Sequence, residues 1–197
     1  MKPGAPTVDG RLLASLCHDL RGPLGALGTW VHVLASGRAD EATRVRALDA
    51  MGRAVREQGA LLDQFSDLAA LLEGAAGGER LPVELGALVR QVVGALPAPQ
   101  LVSVSGETSG PTVQADVERV RRMLSVLLGG AVKGGDAAYA MSVAREGSEA
   151  VLVLTATGTP RAWSVALVSA LATDQGGGLD VTSEAGTVTL RVRLPLD

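Results

Sequence analysis

The sequence predicts an antiparallel helical hairpin followed by a small α/β sandwich, and three observations carry that expectation. Two segments of about thirty residues repeat apolar side chains at steps of three or four. A glycine-rich stretch follows them, and beyond it the apolar runs shorten and begin to alternate. The composition agrees. Hydrophobic residues make up 47% of the 197 positions and charged residues 20%, so a packed core is within reach. Aromatic residues are only 2%, so the core is built from Leu, Val and Ala, and sites that stack bases or sugars on rings are disfavoured.

In the first segment, from about Val8 to Gly37, the seam is Leu13, Leu16, Leu20, Leu24, Leu27, Val31 and Leu34. At about 100° per residue these seven fall within an arc of roughly 80°. Pro23 lies inside the run and should kink the helix, since it lacks an amide donor and crowds the preceding turn. Gly37 and then Asp40 read as a stop and a new N-cap. The second segment, about Glu41 to Glu73, has the seam Leu48, Met51, Val55, Leu62, Phe65, Ala69 and Leu72, interrupted by Gln58. A lone hairpin cannot cover a seam of that length, so pairing two hairpins into a four-helix bundle predicts a homodimer.

Gly74 to Pro82 reads as a linker. After it, residues 83–97 have helical spacing, LVSVSG and TVQA read as strands, and Asp116 to Lys133 as a helix capped by Asp116. AYAMSVAR and AVLVLTAT read as strands around a turn at Gly147, and residues 162–174 as a helix. GLDVTSEAGTVTLRVRLPL closes the chain as a hairpin turning at Ala185-Gly186. The domains expected are therefore residues 1–74, a linker 75–82, and residues 83–197, the last with a mostly antiparallel sheet on one side and helices on the other.

Several function classes are disfavoured at this level. A net charge of −3 offers no basic field for nucleic acid. Cys17 is the single cysteine, which fits a reducing compartment. The N-terminal MKPGAPTVDG lacks the apolar stretch of a signal peptide. No run approaches the roughly 20 apolar residues of a membrane span, so a soluble, cytoplasmic protein without membrane contact is expected. The two histidines, His18 and His32, stand about 21 Å apart along one helix, and no cluster has metal-ligand spacing. Cys17 reads as a small structural thiol, and Arg44, Arg46, Arg53 and Arg56 as a solvated face that could also meet an acidic partner.

His18 stands about 200° from Leu16 on the helical wheel, outside the seam, with Arg11, Ala14, Arg21, Gly25, Thr29 and His32 on its side. An exposed neutral imidazole has a free lone pair and is a competent nucleophile, and Asp19 can orient the ring or accept its proton. On pattern alone, the ordinary reading is a surface histidine with an acidic neighbour.

LLASLCHDLRGPLGAL (Leu12 to Leu27) resembles the phosphoacceptor box of sensor histidine kinases, His-Glu/Asp-Leu-Arg-Thr/Asn-Pro-Leu. His18, Asp19, Leu20, Arg21, Pro23 and Leu24 match it. EQGALLDQFSDLAALLEG resembles the family's second helix, LPVELGALV the lead-in to its ATP-binding domain, and GGGLDVTSEAGTVTLRVRLPL the closing hairpin of that domain. The resemblance spans nearly the whole chain. It implies that His18 carries a phosphoryl group with help from Asp19. It also implies that the fold is a dimeric bundle followed by a reduced ATPase-type sandwich.

The departures from the family pattern are specific. The family's Thr or Asn that positions a dephosphorylating water is Gly22 here. The Asn that holds Mg²⁺ and phosphates falls at Gly130, and an earlier Asn at Val126. The Asp for the adenine amino group is Ala156, a loop glycine is Pro160, and nothing is left for the lid. GGGLD (Gly176 to Asp180) reads as a turn before a strand rather than a phosphate cradle, and Lys133 as a solvated helix-end lysine. ATP binding and any other cofactor are therefore expected to be absent.

What the resemblance then implies is a histidine phosphotransfer protein exchanging a phosphoryl group with response-regulator receiver domains, which bring their own Mg²⁺. Known two-domain phosphotransferases of this type carry a similar Cys-His-Asp-Leu stretch. Arg21, Gly22, Gly25 and Thr29 are the candidate docking residues around His18. The alternatives are a non-catalytic pseudokinase that sequesters a regulator, and a residual ATP-dependent histidine kinase.

Overall fold

A computed structural model describes residues 10–74, 77–96, 99–106, 110–130, 132–133 and 138–196. The chain parts between Ala69 and Ala70 into two compact units. The first is the hairpin. Helix α1 spans Gly10–Ala35 and α2 spans Glu41–Leu72; Val8, where the first helix was expected to begin, lies outside the described residues. Gly37, at φ 68°, turns the chain after α1, and Asp40 Oδ1 accepts the Thr43 amide at 2.8 Å as the N-cap of α2. Pro23 does not end α1, which runs through it. Its missing N–H leaves the carbonyl of Asp19 without that helical donor.

The side chains that the hairpin buries are not those with the strongest apolar period. On α1 they are Leu12, Asp19 and Pro23, about 80° to one side of the seam centre. On α2 they are Ala47, Ala54, Leu61 and Leu68, at steps of seven. Leu13, Leu24 and Val31 are more than half exposed, as are Leu48, Val55 and Leu62, while Leu16, Leu20, Leu27 and Leu34 are half-buried. The reason is geometric. Each helix of a two-helix hairpin meets its neighbour along one flank only, and the rest of a wide apolar arc stays open. Ala47 and Ala54 weigh little in an apolar count, although a small side chain is what lets another helix come close.

The second unit opens with β1 (Leu81–Glu84), antiparallel to β3 (Thr112–Ala115) with Val83 opposite Val113. This corrects two expectations. Leu81 and Pro82 belong to a strand rather than to the linker, and the helix expected over 83–97 is α3 (Leu85–Gly94). A residue before proline is biased to extended backbone, which helical spacing alone does not register. Glu84 caps α3 by accepting the Ala87 amide at 3.1 Å. After a 3₁₀ turn at Pro99–Leu101 come β2 (Val102–Gly106), β3 and α4 (Val117–Gly130). Asp116 caps α4 as expected, with Oδ1 accepting the amides of Glu118 and Arg119 at 3.0 and 3.2 Å. The helix ends at Gly130, short of Lys133, which lies in β4 (Val132–Lys133).

The main sheet has the order β2-β5-β6-β9-β8, where β5 is Tyr139–Glu146, β6 Glu149–Thr157, β8 Gly178–Glu184 and β9 Thr187–Pro195. Only β2 and β5 run parallel. On β6, Ala150, Leu152, Leu154 and Ala156 face Leu194, Val192, Leu190 and Val188 of β9, all buried. Against this row of side chains α3 supplies Leu85, Leu88 and Val89, α4 Met123, Leu124 and Leu127, and α5 (Ala162–Asp174) Leu167 and Leu171. Each such Leu or Val contributes about 1.5–3 kcal/mol by leaving water. A two-stranded sheet of β4 and β7 (Thr159–Pro160) lies apart from the main one.

Gly176 and Gly177 carry the chain from the end of α5 into β8, in agreement with the reading of GGGLD as a turn before a strand. The Gly177 amide reaches the Ala172 carbonyl at 2.8 Å and the Gly176 amide that of Thr173 at 2.9 Å, a Schellman pair. At Gly177 a Cβ would lie 1.8 Å from the Arg193 carbonyl oxygen, so the backbone passes where no side chain fits. The closing hairpin turns at Ala185 (φ 49°) and Gly186 (φ 80°), the two left-handed positions of a type I′ turn. Alanine is costly there and asparagine is tolerated. Ala185→Asn should stabilise the protein by about 0.5–1 kcal/mol, read as a higher denaturant midpoint with unchanged slope.

Candidate functional site

α1 brings His18 and Asp19 to opposite environments one residue apart. The His18 side chain is 77% exposed and the Asp19 side chain 2%. Asp19 points into the hairpin, on the stripe with Leu12 and Pro23, and from there its Oδ1 meets His18 Nδ1 at 3.1 Å. A buried carboxylate is costly unless hydrogen-bonded, so the pair favours the tautomer whose Nδ1–H donates to Asp19. In that tautomer Nε2 carries the free lone pair on the exposed ring. The geometry thus fixes the exposed imidazole through Nδ1.

The predicted docking residues share this surface. Arg21, Gly22, Gly25 and Thr29 are all exposed, and they lie within about 60° of His18 on the helical wheel. A Cβ at Gly22 or Gly25 would meet no atom within 4 Å. The Thr29 hydroxyl is turned back onto its own helix, donating to the Gly25 carbonyl at 3.0 Å. Cys17 is exposed, which corrects its reading as a structural thiol. It flanks the open apolar side of α1 with Leu13 and Leu24, about 60° from the seam centre, where the hairpin supplies no packing partner. No group of three or more His, Cys, Asp or Glu side chains is placed to hold a metal ion among the described residues. No described helix is long and apolar enough to cross a membrane.

In the second unit, the positions matched to nucleotide-binding residues are apolar and largely internal. Val126 on α4 and Ala156 on β6 are buried, and Ala156 pairs with Val188. The stretch read as a loop, TATGTP, is strand as far as Thr157. Gly158, at φ 139°, then donates its amide to the Gly186 carbonyl at 2.9 Å, and Thr159–Pro160 pairs with Val132–Lys133. Residues 158–161 are all that separate β6 from α5. No side-chain oxygen stands at Val126, Gly130 or Ala156 for Mg²⁺ or an adenine amino group, so these residues do not fit a Mg²⁺–nucleotide.

No family model matches the sequence, and no curated protein does either. Solved structures do. The chain superposes on the Acinetobacter baumannii histidine kinase AdeS with a TM-score of 0.65 at 15% identity, covering 91% of this chain and 98% of that one. The fold is that of histidine kinases. The match extends to the histidine kinase ThkA, in a crystal structure of its complex with the response regulator protein TrrA. There the TM-score is 0.62 at 14% identity, over 95% of this chain and 62% of ThkA. Full-length ShkA, crystallised with AMPPNP, gives 0.56 at 23% identity, over 95% of this chain and 46% of ShkA. In this histidine-kinase fold the hairpin unit carries His18, and the sandwich takes the place of the catalytic ATPase domain.

Sequence reasoning missed one polar cluster of the second unit. Asp116 Oδ2 accepts the Gly78 amide at 2.6 Å, the Asp116 amide donates to Gln175 Oε1 at 2.8 Å, and Arg119 pairs with both Asp116 and Asp174. Burial pushes the Asp116 carboxyl up, but the amides of Gly78, Arg119 and Glu118 outweigh it and hold the pKa below the ordinary carboxylate value. With the folded pKa depressed, this stabilisation is complete above the unfolded pKa and is lost as pH falls through the folded one. The partners lie 38 and 59 residues from Asp116, beyond any local pattern.

The asymmetry of the His18–Asp19 pair gives a stability test. His18→Ala should change stability by less than about 0.5 kcal/mol, since the ring is exposed. Asp19→Ala should cost about 1–3 kcal/mol, since it empties a buried position and removes its hydrogen bonds. Urea denaturation of both variants checks the order, and equal effects would contradict the geometry.

Proposed function

We propose that this chain is a homodimeric histidine phosphotransfer protein of a two-component relay, taking a phosphoryl group on His18 from one response-regulator receiver domain and giving it to another. The observation that carries the reading is the exposed His18 ring held through Nδ1 by the buried carboxylate of Asp19. Nε2 attacks the phosphorus of an aspartyl phosphate on the regulator. The N–P bond forms as the P–O bond to the regulator's carboxylate breaks, and that carboxylate leaves with the electron pair. The imidazole gains positive charge while its Nδ1–H stays on Asp19, whose negative charge stabilises the phosphohistidine. The reverse step returns the group. The Mg²⁺ this chemistry uses belongs to the receiver domain.

A regulator partner is supported in kind by ThkA, which shares this fold and was crystallised with TrrA. Arg21, Gly22, Gly25 and Thr29 form the docking face, where bare backbone at Gly22 and Gly25 admits close approach. With no side chain at Gly22, nothing there positions a water for hydrolysis, which favours transfer over loss of the phosphoryl group. ATP binding is absent in this reading because Val126, Gly130 and Ala156 lack the needed oxygens. The protein then acts in the cytoplasm, where its regulators are.

The dimer forms through the apolar face that one hairpin leaves open, Leu13, Leu24 and Val31 on α1 with Leu48, Val55 and Leu62 on α2. Two hairpins packed in parallel cover it as a four-helix bundle. Val31→Asp should place an unpaired carboxylate in that interface, cost about 3 kcal/mol or more, and convert the dimer to monomer in light scattering. A wild-type protein already monomeric at micromolar concentration would refute the bundle.

The decisive experiment is incubation with phosphorylated receiver domains. The wild type should acquire an acid-labile label, and His18→Ala should acquire none while remaining folded. Asp19→Asn should slow the transfer by about tenfold rather than abolish it, because the phosphoryl donor is already activated. Tight regulator binding without label would favour a sequestering pseudokinase. Label from ATP, with micromolar binding in calorimetry, would favour an ATP-dependent kinase.

A further inference from the structure

Residues 77–80 of the glycine-rich stretch are fastened to the rest of the second unit. Gly78 donates its amide to Asp116 Oδ2 at 2.6 Å, and Arg80 Nη2 donates to the Asp174 carbonyl at 2.7 Å. Asp116 and Asp174 are bridged behind this strap by Arg119, and Gln175 joins them by donating to Asp174 Oδ2 at 2.6 Å and accepting the Asp116 amide. Asp116 and Gln175 are buried. A Cβ at Gly77 would stand 3.3 Å from the Arg119 guanidinium carbon, and one at Gly78 3.0 Å from Asp116 Oδ2. The two glycines thus lie flat on an ion pair, and even a methyl group would crowd it.

We propose that residues 77–80 are a latch, closed by Asp116 and Asp174, that sets how much chain tethers the second unit to the His18 hairpin. Closed, the tether runs only from the end of α2 at Leu72 to the first fastened residue, Gly78. Open, it extends to β1 at Leu81. One side chain, Asp116, both caps α4 and holds the strap, so the latch closes on the second unit's own fold. This inference does not depend on the chemistry assigned to His18.

Two variants separate the latch from the cap. Asp116→Ser keeps a side-chain acceptor for the first turn of α4 but is too short to hold Gly78. Gly78→Val leaves Asp116 intact and displaces the strap by contact. Trypsin reads the outcome at Arg80, with the cut at Arg38 between the hairpin helices as internal standard. In the wild type Arg80 should be cut at least about tenfold more slowly than Arg38, because the strap must first detach. Both variants should speed the Arg80 cut about tenfold or more and leave the Arg38 cut unchanged. Nitroxides on Cys17 and Glu149→Cys, in dimers with an unlabelled Cys17→Ser chain, should show an interunit distance distribution about a quarter wider in Asp116→Ser. Wild-type cleavage at Arg80 as fast as at Arg38 would overturn the proposal. So would variants with unchanged Arg80 cleavage or an unchanged distance distribution.

Discussion

Asp19 is a carboxylate that the hairpin buries beside an imidazole it leaves in water, and much of the site follows from that placement. Burial fixes the rotation of α1, because the stripe of Leu12, Asp19 and Pro23 has to point inward. Once the rotation is fixed, His18 is about 100° away and emerges on the surface. The hydrogen-bonding need of the buried carboxylate is met by Nδ1 of the ring. Pro23, four residues after Asp19, withholds the amide that would otherwise bond the Asp19 carbonyl, so a break in the helical ladder falls at the residue that positions the ring.

How much of this the sequence disclosed depends on how local each signal was. The caps at Asp40 and Asp116, the turns at Gly176 and Ala185-Gly186 and the helix over 162–174 were legible because each is set by a few neighbouring residues. The exposure of His18 was legible because a helix converts sequence spacing into direction. The buried flank of the hairpin was not. Periodicity marks where apolar side chains concentrate, whereas burial marks where another helix lies, and Ala47 and Ala54 count for little in the first measure. Strand β1 was hidden by helical spacing that starts in the same residues. The cluster of Asp116, Arg119, Asp174 and Gln175 was out of reach because its members meet only through the fold.

The second unit shows how a histidine-kinase fold can stand with apolar side chains at Val126 and Ala156. Its stability rests on the facing rows of β6 and β9 and on the leucines of α3, α4 and α5, none of which touches the chemistry. Val126 and Ala156 extend that core into positions where the family keeps polar groups. Losing an oxygen there exposes no buried donor or acceptor, since the replacement side chains are apolar and packed, so the change is tolerated by the fold. Architecture is therefore poor evidence for ATP chemistry, and the residues at the site have to decide.

In the proposed phosphotransfer dimer α1 would serve three surfaces, and its wheel keeps them apart. Relative to the seam centre, the buried stripe of Leu12, Asp19 and Pro23 lies about 80° to one side, while His18, Gly22, Gly25 and Thr29 lie near the opposite face, roughly 140° to 200° around. The open apolar residues Leu13, Leu24 and Val31 fall between. In that proposed dimer a second hairpin on the apolar arc would leave the imidazole uncovered, and a receiver domain on the glycine-lined face would not need to disturb the pairing. The alternative arrangement, with the histidine on the apolar arc, would force dimerisation and phosphotransfer to compete for one surface. Among the described residues of α1, Asp19 belongs to two of the three surfaces: its carboxylate lies in the hairpin interior and its hydrogen bond reaches the exposed His18 ring. Packing inside the hairpin and the orientation of the His18 ring are for that reason linked.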